Sequence, residues 1–437
     1  MNLSPEALWQ RYRDLSYAEL PRDVKTVAGH CIRDWFACVL AGVDEPLARI
    51  LREEFAARDE GPCTLVGTDL RSHATVAALI NGATSHALDF DDTNMAMGGH
   101  PTAPVFPAAL ALAEERGASG AQLITALVVG IEIESLLGSA IGSKHYAKGW
   151  HVTSTMGVFG AAAAASYLLQ LNTEQFGHAM GLAASQAGGL KANFGTMTKP
   201  FHAGHAAERG LLSARLAARG FTANPEAFSG RQGLVEAAGI GALDEKRLAA
   251  TDGSWLIRDT LFKYHAACYL THAAIESCLQ LHTSVDASDL SAATVTVHPS
   301  LLDICAIPQP STGLEAKFSL TGTTALAILG FDTANPATFV DSIVQQPALQ
   351  EMIGRVAVET DPSLRSTQTV VELEDKSQNS FRAEFDSGVP ASDLEQQGRK
   401  LAAKFDAIAW PVLGDDASRF SAGLESLPDL PDVRQLH

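Results

Sequence analysis

Histidine is the residue whose placement in this sequence most strongly indicates chemistry. Of the fourteen histidines, seven fall between His86 and His205, and three of these, His100, His178 and His205, directly follow a glycine. Imidazole has an ordinary pKa close to neutral pH, so it can take or give a proton under physiological conditions. The pattern predicts acid–base chemistry carried out by loops that join helices.

The first candidate segment contains Asp89, Asp91, Asp92 and Thr93, and it continues after a short linker to His100 and a proline. Two glycines stand directly before the histidine, which is typical of a loop that carries a side chain into a cleft. For Asp91 and Asp92 the alternative is a solvated acidic turn with helix caps.

A metal site is a second interpretation of this segment. His86, Asp89 and Asp92 offer ligand atoms, and together with His100 they would suit a metal-dependent hydrolase. Carboxylates that are close in sequence do not by themselves define a coordination sphere. The sequence therefore favours a site without a metal.

The second candidate segment, Gly149-Trp-His151-Val-Thr-Ser-Thr155, joins the next two predicted helices. His151 stands where a helix should begin, and the Thr and Ser residues after it are common helix caps. On the sequence alone, His151 is equally well a base or a buried packing residue.

The third candidate segment runs from Asn193 to His205 and leads into a predicted helix that has Pro200 in its first turn. We expect the ammonium of Lys199 near the free backbone N–H groups of that helix start, a place suited to a carboxylate or phosphate. His202 and His205 share a helix face, but no third metal ligand is evident. A fourth and weaker segment begins at Lys263.

These segments gather cations in a strongly acidic chain. The 437 residues carry 32 basic and 50 acidic side chains, which gives a formal net charge of −18. Such a charge argues against binding to nucleic acids and to anionic membranes. Converging lysines and histidines would instead hold a small carboxylate and stabilise the enediolate-like charge that develops on it, while a histidine removes the neighbouring carbon-bound proton.

The elements that must position these residues are mainly helices. Apolar residues at three- and four-residue spacing predict helices over 22–43, 73–87, 104–115, 121–141, 155–171, 173–188 and 200–219. Alternating patterns after about residue 288 predict strands at 294–298, 356–359, 367–373 and 380–385, with helices at 316–329 and 339–353. We therefore predict a mainly α protein, in which a large all-helical domain (1–284, rejoined by 391–437) accompanies a smaller α+β domain (285–390).

The cysteines and the N-terminal residues bear on the compartment. Six scattered cysteines form no CxxC pair, and the polar N-terminal residues show no signal-peptide pattern. Reduced thiols and a cytoplasmic location are the expectation.

The candidate motifs resemble those of the MmgE/PrpD family. In chain order they are Asp89-Phe-Asp-Asp-Thr with His100-Pro, Gly149-Trp-His151, Gly195-Thr-Met-Thr-Lys199-Pro-Phe-His202-Ala-Gly, Phe262-Lys263 and Pro310-Ser-Thr-Gly-Leu-Glu-Ala-Lys-Phe-Ser319. The resemblance covers nearly the whole chain. It implies a helical domain built from both ends of the chain, an α+β lid domain between them, a homodimer, and neither a metal nor an organic cofactor.

The resemblance also implies roles for particular residues. By matching motifs, the catalytic residues would be His100, His151 and Lys199, and the substrate-binding residues would be Asp89, Thr93, His202 and Lys263. The family includes 2-methylcitrate dehydratase, cis-aconitate decarboxylase and iminodisuccinate epimerase. Its decarboxylase-like members carry a histidine where Cys268 aligns.

The leading hypothesis is a cofactor-independent lyase similar to 2-methylcitrate dehydratase, acting on a small di- or tricarboxylate. Either His151 or His100 would abstract the proton α to a carboxylate, and the other would protonate the leaving hydroxyl. An epimerase of an iminodisuccinate-like dicarboxylate, which uses the same carbanion chemistry, is the alternative. A metal-dependent hydrolase and a non-catalytic binding protein are further alternatives.

Overall fold

Helices make up most of the chain, and small sheets complete it. The computed structural model describes residues 5–55, 60–244, 247, 254–282 and 284–436. The chain divides into two units, Met1–Phe262 with Ser392–His437, and Lys263–Ala391. The predicted mainly helical class is confirmed, whereas the role of the second unit as a lid stays a prediction.

The first unit is built from helices that follow one another along the chain. They are α1 (Pro5–Tyr12), α2 (Arg22–Gly42), α3 (Pro46–Phe55), α4 (Ala74–Ser85), α5 (Thr102–Arg116), α6 (Gly120–Ile141), α7 (Ser143–Ala147), α8 (Val152–Thr155), α9 (Gly157–Leu168), α10 (Thr173–Gln186), α11 (Thr198–Ala218) and α12 (Leu234–Ala237). Two short antiparallel pairs accompany them, β1 (Cys63–Thr64) with β2 (Arg71–Ser72), and β3 (Thr93–Asn94) with β4 (Thr260–Leu261).

Capping residues set several of the helix ends. Ser119 and Asn172 each cap a helix, and each forms a reciprocal capping box with the glutamine three residues later. α11 begins at Thr198, two residues before the predicted start at Pro200, so that Lys199 lies inside its first turn.

Glycine lets α4, α9 and α11 approach one another closely. A Cβ at Gly204 of α11 would lie 2.1 Å from the carbonyl oxygen of Leu79 in α4. A Cβ at Gly210 would lie 2.5 Å from the Cβ of Ala161 in α9. Because only glycine fits at such distances, these residues decide how closely the three helices pack.

α6 is a core helix of the first unit. All its residues from Leu123 to Ile141 are buried. Among the described residues it is the one helix that is long and apolar enough to cross a membrane, and its apolar stretch is wholly buried inside the protein. Apolar residues around the whole circumference are expected of a helix in a protein core.

The second unit contains a four-stranded sheet. Its strands are β5 (Leu290–Val297), β6 (Val356–Thr360), β7 (Gln368–Asp375) and β8 (Ser380–Asp386), in the sheet order β6-β5-β7-β8. β5 runs parallel to β6 and antiparallel to β7, and Val295 is paired with Val358 on one side and with Val371 on the other. The four strands lie where the alternating patterns predict them.

The helices of the second unit are shorter than the sequence predicts. They are α13 (His272–Leu281), α14 (Gly313–Ala316), α15 (Leu320–Ile328), α16 (Asp341–Val344) and α17 (Pro347–Ile353). Ser319 caps α15 and thereby divides the predicted helix 316–329, and Pro347 begins α17 and divides the predicted helix 339–353. Because α13 packs against β7 and β8, the second unit starts at Lys263, earlier than the sequence-based boundary at 285.

Two helices from the end of the chain complete the first unit, α18 (Leu394–Leu413) and α19 (Asp416–Ser426). α18 packs against α2 and buries Lys404 completely, with its Nζ 2.6 Å from Oδ1 of Asp34 in α2. A buried charge must be paired, because desolvation without a partner costs several kcal/mol, roughly 3–5 when one member of such a pair is removed. This ion pair therefore fixes α18 on α2.

α6 also buries a carboxyl group, that of Glu134. Neither of its oxygens has a hydrogen-bond partner within the described residues. Burial raises the pKa of Glu134 well above its usual range, and nearby Asp92 adds to the rise. The folded protein therefore keeps the proton of Glu134 at pH values where the unfolded chain loses it.

We predict that Glu134→Gln stabilises the protein relative to wild type by an amount that grows as the pH rises. Above the ordinary pKa of glutamate the unfolded wild-type chain releases a proton that the folded protein retains, so wild type loses stability with rising pH, by at most about 1.4 kcal/mol per pH unit for this group. Urea unfolding at pH 6, 7 and 8 measures the difference, with the exposed Glu395→Gln as control. A difference that is constant across these pH values would show that Glu134 is ionised in the fold.

Candidate active site

The loop after α4 carries the first group of candidate residues. His86 is the C-cap of α4, and Asp89 adopts a left-handed conformation with a φ of 52°. Aspartate tolerates this conformation better than most residues with a side chain. Asp91 returns to the end of the helix, where each of its carboxylate oxygens lies 2.9 Å from Nδ1 of His86. His86 and Asp91 are both buried.

Hydrogen bonding defines the protonation of one ring nitrogen of His100. Its Nδ1 lies 2.7 Å from the backbone oxygen of Asp92, and a carbonyl oxygen only accepts hydrogen bonds, so Nδ1 carries a hydrogen. Oδ2 of Asp91 lies 3.3 Å from the same nitrogen. Nε2 of His100 lies 3.4 Å from Oδ1 of Asp89. Nε2 is therefore the atom through which His100 can exchange a proton with a ligand.

Lys199 forms an ion pair with Asp89, whose Oδ2 lies 2.8 Å from the Lys199 Nζ. The lysine lies in the first turn of α11, where the helix dipole disfavours a cation, and the carboxylate offsets that repulsion. The Asp89 side chain is 52% exposed, so a dissolved anion can reach the pair. Lys199 is therefore the cation expected at the start of this helix, and its ion pair with Asp89 joins the helix to the loop after α4.

His151 and His202 contact each other directly. The two Nδ1 atoms lie 3.2 Å apart, and both side chains are buried. The backbone N–H of His151 donates to the carbonyl oxygen of Gly189 (3.0 Å), and the hydroxyl of Ser154 donates to the backbone oxygen of His202 (3.1 Å). The sequence left two interpretations of His151, a base or a buried packing residue. The structure is compatible with both, because His151 is buried and its ring also has a polar partner.

His86 lies between the two groups. Its ring centroid is 4.6 Å from that of His100 and 5.8 Å from that of His151, which in turn is 5.4 Å from that of His202. The four rings form a continuous row. From the sequence, His86 is a candidate only as a metal ligand. Its position directly before the acidic loop is the feature of the sequence that could have indicated its place in this row.

The imidazole of His151 is uncharged at neutral pH. Burial lowers its pKa to about 2, and the positive charges that His86, His100, Lys199 and His202 can carry add to the effect. Burial also lowers the pKa of His202. An uncharged imidazole can act as a base, and anionic groups bound beside it would favour its protonated form.

Thr93 and Lys263 have separate positions. The hydroxyl of Thr93 donates to the backbone oxygen of Gly99 at 3.2 Å, so it holds the loop that leads to His100. Lys263 is buried and begins the second unit, two residues after Leu261 at the end of β4. The cluster described here is confined to the first unit, and the contribution of Lys263 to it stays a prediction.

The side chain of Asp92 bonds to Thr102 and not to the row of rings, although its backbone oxygen contacts His100. Its carboxylate accepts hydrogen bonds from the backbone N–H and the hydroxyl of Thr102, and burial together with nearby Asp34 raises its pKa to about 8. The metal alternative was therefore wrong to include Asp92. Within the part of the chain that the structure describes, one group of side chains could hold an ion: the candidate ligand atoms of His86, Asp89, Asp91 and His100 lie within 4.8 Å of one another.

A buried lysine supports the acidic loop from behind. Lys404 of α18, which already pairs with Asp34, also donates to the backbone oxygen of Phe90 at 2.8 Å, and its ammonium lies 3.7 Å from the centroid of the Phe90 ring. No local pattern in the sequence indicates this support, because Lys404 and Phe90 are 314 residues apart. The loop conformation therefore depends on the last part of the chain.

Comparison with known proteins identifies the family. The model of the MmgE/PrpD N-terminal domain matches residues 6–244, and that of the MmgE/PrpD C-terminal domain matches residues 265–427. The chain belongs to the MmgE/PrpD family, and the resemblance seen in its motifs is confirmed.

Curated relatives carry the names of enzymes. Cis-aconitate decarboxylase of Homo sapiens is 29% identical over 389 residues, which cover 83% of this chain and 79% of that protein. The cis-aconitate decarboxylase-like protein oryM of Aspergillus oryzae is 31% identical over 285 residues, 61% of this chain and 59% of that protein. Cis-aconitate decarboxylase of Aspergillus terreus is 29% identical over 290 residues, 61% of this chain and 58% of that protein. The chain is an enzyme of this family.

We predict that His151 remains uncharged from pH 8 down to about pH 5 in the absence of ligand, because its lowered pKa lies well below that range. The same shift makes the fold lose stability as the pH falls below about 6.5, where the unfolded chain takes up a proton that the folded protein does not. Histidine-selective ¹⁵N NMR, with His151→Gln to assign the signal, measures the charge. A titration midpoint near 6.5 would contradict the burial argument.

Proposed function

We propose that this protein is a cofactor-independent lyase that removes a proton from the carbon next to a carboxylate in a small di- or tricarboxylate, in the manner of 2-methylcitrate dehydratase. The observation that supports it is the row of four imidazoles, three of them buried, beside the Lys199–Asp89 ion pair. Dissolved anions can reach this ion pair, because the Asp89 side chain is exposed. Bases beside a cation are what proton abstraction next to a carboxylate requires. The family membership and the names of the relatives support the same class of substrate.

In the proposed reaction His151 is the base and His100 is the acid. The substrate C–H bond breaks, its proton moves to Nε2 of His151, and the electron pair spreads onto the carboxylate as an enediolate beside the ammonium of Lys199. His100 enters this step as an imidazolium beside the carboxylates of Asp89 and Asp91, with hydrogens on both Nδ1 and Nε2. Its Nε2 then gives a proton to the leaving hydroxyl, a carbon–carbon double bond forms, and water departs. Carboxylates of the bound substrate favour the protonated form of His151, so that substrate binding itself strengthens the base.

The other residues of the loop orient these groups. Asp91 holds His86 and lies 3.3 Å from Nδ1 of His100, while Asp89 keeps Lys199 in place. We expect Thr93 and Lys263 to contact the substrate, as the family resemblance implies. We also propose a homodimer, which light scattering of the purified protein would test.

Decarboxylation is the second candidate, favoured by the names of the relatives. It also passes through a carbanion, but a carbon–carbon bond breaks instead of a C–H bond: carbon dioxide leaves, and the carbanion that remains then takes up a proton from an acid. Cys268 stands where decarboxylase-like members of the family carry a histidine, and this weighs against it. Epimerisation of an iminodisuccinate-like acid remains the third candidate, since it needs the same proton abstraction with return of a proton to the opposite face.

One assay in heavy water separates the three. We predict that incubation with 2-methylcitrate gives an unsaturated acid that absorbs in the ultraviolet, with loss of water seen by mass spectrometry. Cis-aconitate would lose carbon dioxide if the enzyme is a decarboxylase, and an iminodisuccinate-like acid would gain one deuterium without other change if it is an epimerase. If none of a panel of hydroxy-, unsaturated and imino-carboxylates loses or exchanges an α-proton, the proposal fails.

Removal of either central imidazole should abolish most of the turnover. We expect His100→Ala and His151→Ala each to lower kcat by at least about 10²-fold, because general acid–base help contributes roughly that much or more. Circular dichroism checks that the variants are folded, and His282→Ala, at an exposed position in the second unit, is the control. Turnover unchanged in both variants would mean that neither ring takes part in proton transfer.

Lys199→Met should weaken the transition-state interaction with the carboxylate. A hydrogen bond to a charged group contributes about 1.5–3 kcal/mol, so we expect kcat/KM to fall by roughly 10- to 100-fold. Lys191→Met is the matched control, since this lysine lies on the nearby segment but is occupied with Tyr146, whose ring centroid is 3.4 Å from its Nζ. If both substitutions lowered kcat/KM equally, Lys199 would contribute only through the general loss of one positive charge, and not through contact with the carboxylate.

The metal-dependent alternative is tested by removal of metals. We expect turnover to be unchanged after dialysis against EDTA, because the proposed steps use only side chains. Loss of activity that returns with added Zn²⁺ or Mn²⁺ would assign His86, Asp89, Asp91 and His100 to an ion and favour the hydrolase.

A further inference from the structure

The pair formed by His151 and His202 constrains where their hydrogens are. An N–H···N hydrogen bond joins the two Nδ1 atoms at 3.2 Å, and only one hydrogen fits between them. A neutral imidazole carries one hydrogen in all. The ring that donates through Nδ1 therefore has a bare Nε2, and the ring that accepts has its hydrogen on Nε2.

It follows that the two Nε2 atoms have opposite character, one an acceptor and one a donor. Neither Nε2 has a hydrogen-bond partner within the described residues. Contacts of the Nε2 atoms therefore do not decide which of the two rings donates the hydrogen bond. If His151 is to take a proton at Nε2, its own hydrogen must lie on Nδ1 and point at His202.

From this geometry we propose that His202 is a positioning residue, which holds His151 in the tautomer whose Nε2 is free to act as a base, and which does not bind the substrate. This inference rests on the proposed function for its kinetic consequence, but the tautomers themselves can be observed without any substrate. It replaces the substrate-binding role that the family resemblance implies for His202.

The surroundings of the pair are built to keep the rings together. Gly189 has a φ of 117°, and a Cβ there would lie 2.9 Å from the Cβ of Ser154 and 3.4 Å from Cγ of His202. Only glycine leaves room for this arrangement. The backbone oxygen of the same glycine accepts a hydrogen bond from the backbone N–H of His151, and the Ser154 hydroxyl donates to the backbone oxygen of His202, so that each histidine is held through its backbone.

The position of His202 also favours the accepting role. It lies near the start of α11, whose positive end disfavours an additional positive charge. When His151 takes the substrate proton at Nε2, it becomes an imidazolium whose Nδ1–H still points at His202. Its Nδ1–H bond to His202 then becomes a charge-assisted hydrogen bond, which is roughly twice as strong as a neutral one. The contact thus stabilises the state after proton abstraction more than the state before it.

The first test is ¹⁵N NMR of the histidine-labelled free enzyme at pH 7.5, with signals assigned through His151→Gln and His202→Asn. We expect His151 with its hydrogen on Nδ1 and His202 with its hydrogen on Nε2. The opposite arrangement, or the same tautomer in both rings, would overturn the inference. This result does not depend on which substrate the enzyme uses.

The second test is kinetic, with the acid that the enzyme turns over in the heavy-water panel. In His202→Asn, the side-chain amide oxygen can take the place of Nδ1 and accept the hydrogen bond from Nδ1–H of His151. Alanine has no side-chain acceptor. We expect His202→Ala to lower kcat by at least about 10-fold with KM changed less than about 2-fold, and His202→Asn to restore most of the loss.

His205→Asn is the matched control, since it lies one turn further along α11 and does not contact His151. A rise in KM with unchanged kcat in His202→Ala would show that His202 binds substrate, and would overturn the inference while leaving the proposed function intact. If no acid in the panel is turned over, the proposed function fails and the NMR result alone decides the tautomers.

Discussion

The close contact of α4 with α11 is the constraint on which the candidate site depends. Gly204 lets the backbones of the two helices approach until a Cβ would collide with the carbonyl oxygen of Leu79. The acidic loop that leaves the end of α4 thereby meets the first turns of α11, where Lys199 pairs with Asp89. A larger residue at this contact would separate the loop from the lysine, although no catalytic atom would have changed.

Burial then determines how the gathered groups behave. His151 is surrounded by protein and by groups that can carry positive charge, so it stays neutral, while carboxylates lie beside His86 and His100. Groups of the same type acquire different properties from their surroundings, which is how acids and bases are distinguished in enzymes. The ion pair at the edge of the row adds a cation for a carboxylate that would bind there.

The site is also held from a distance. Lys404 joins α18 to Asp34 of α2 and to the backbone of Phe90, one residue before Asp91. Such a pair is expensive to bury, so its presence directly behind the loop indicates that it stabilises one loop conformation. The end of the chain therefore contributes to the geometry of residues near its beginning.

Local sequence patterns were enough to predict most of the helices and the strands of the second unit, because spacing and capping are local properties. The helix starts after Ser119 and Asn172 and the four strands follow from a few neighbouring residues each. The sequence also singled out His100, His151 and Lys199. Only the tertiary structure decided that Asp91 rather than Asp92 joins the histidines, that His202 contacts His151, and that Lys404 lies behind the loop. Lys404 and His202 contact residues that are distant in sequence, and local patterns carry no information about such contacts. Asp91 and Asp92 are neighbours in one turn, and the sequence does not show which of the two side chains faces the histidines.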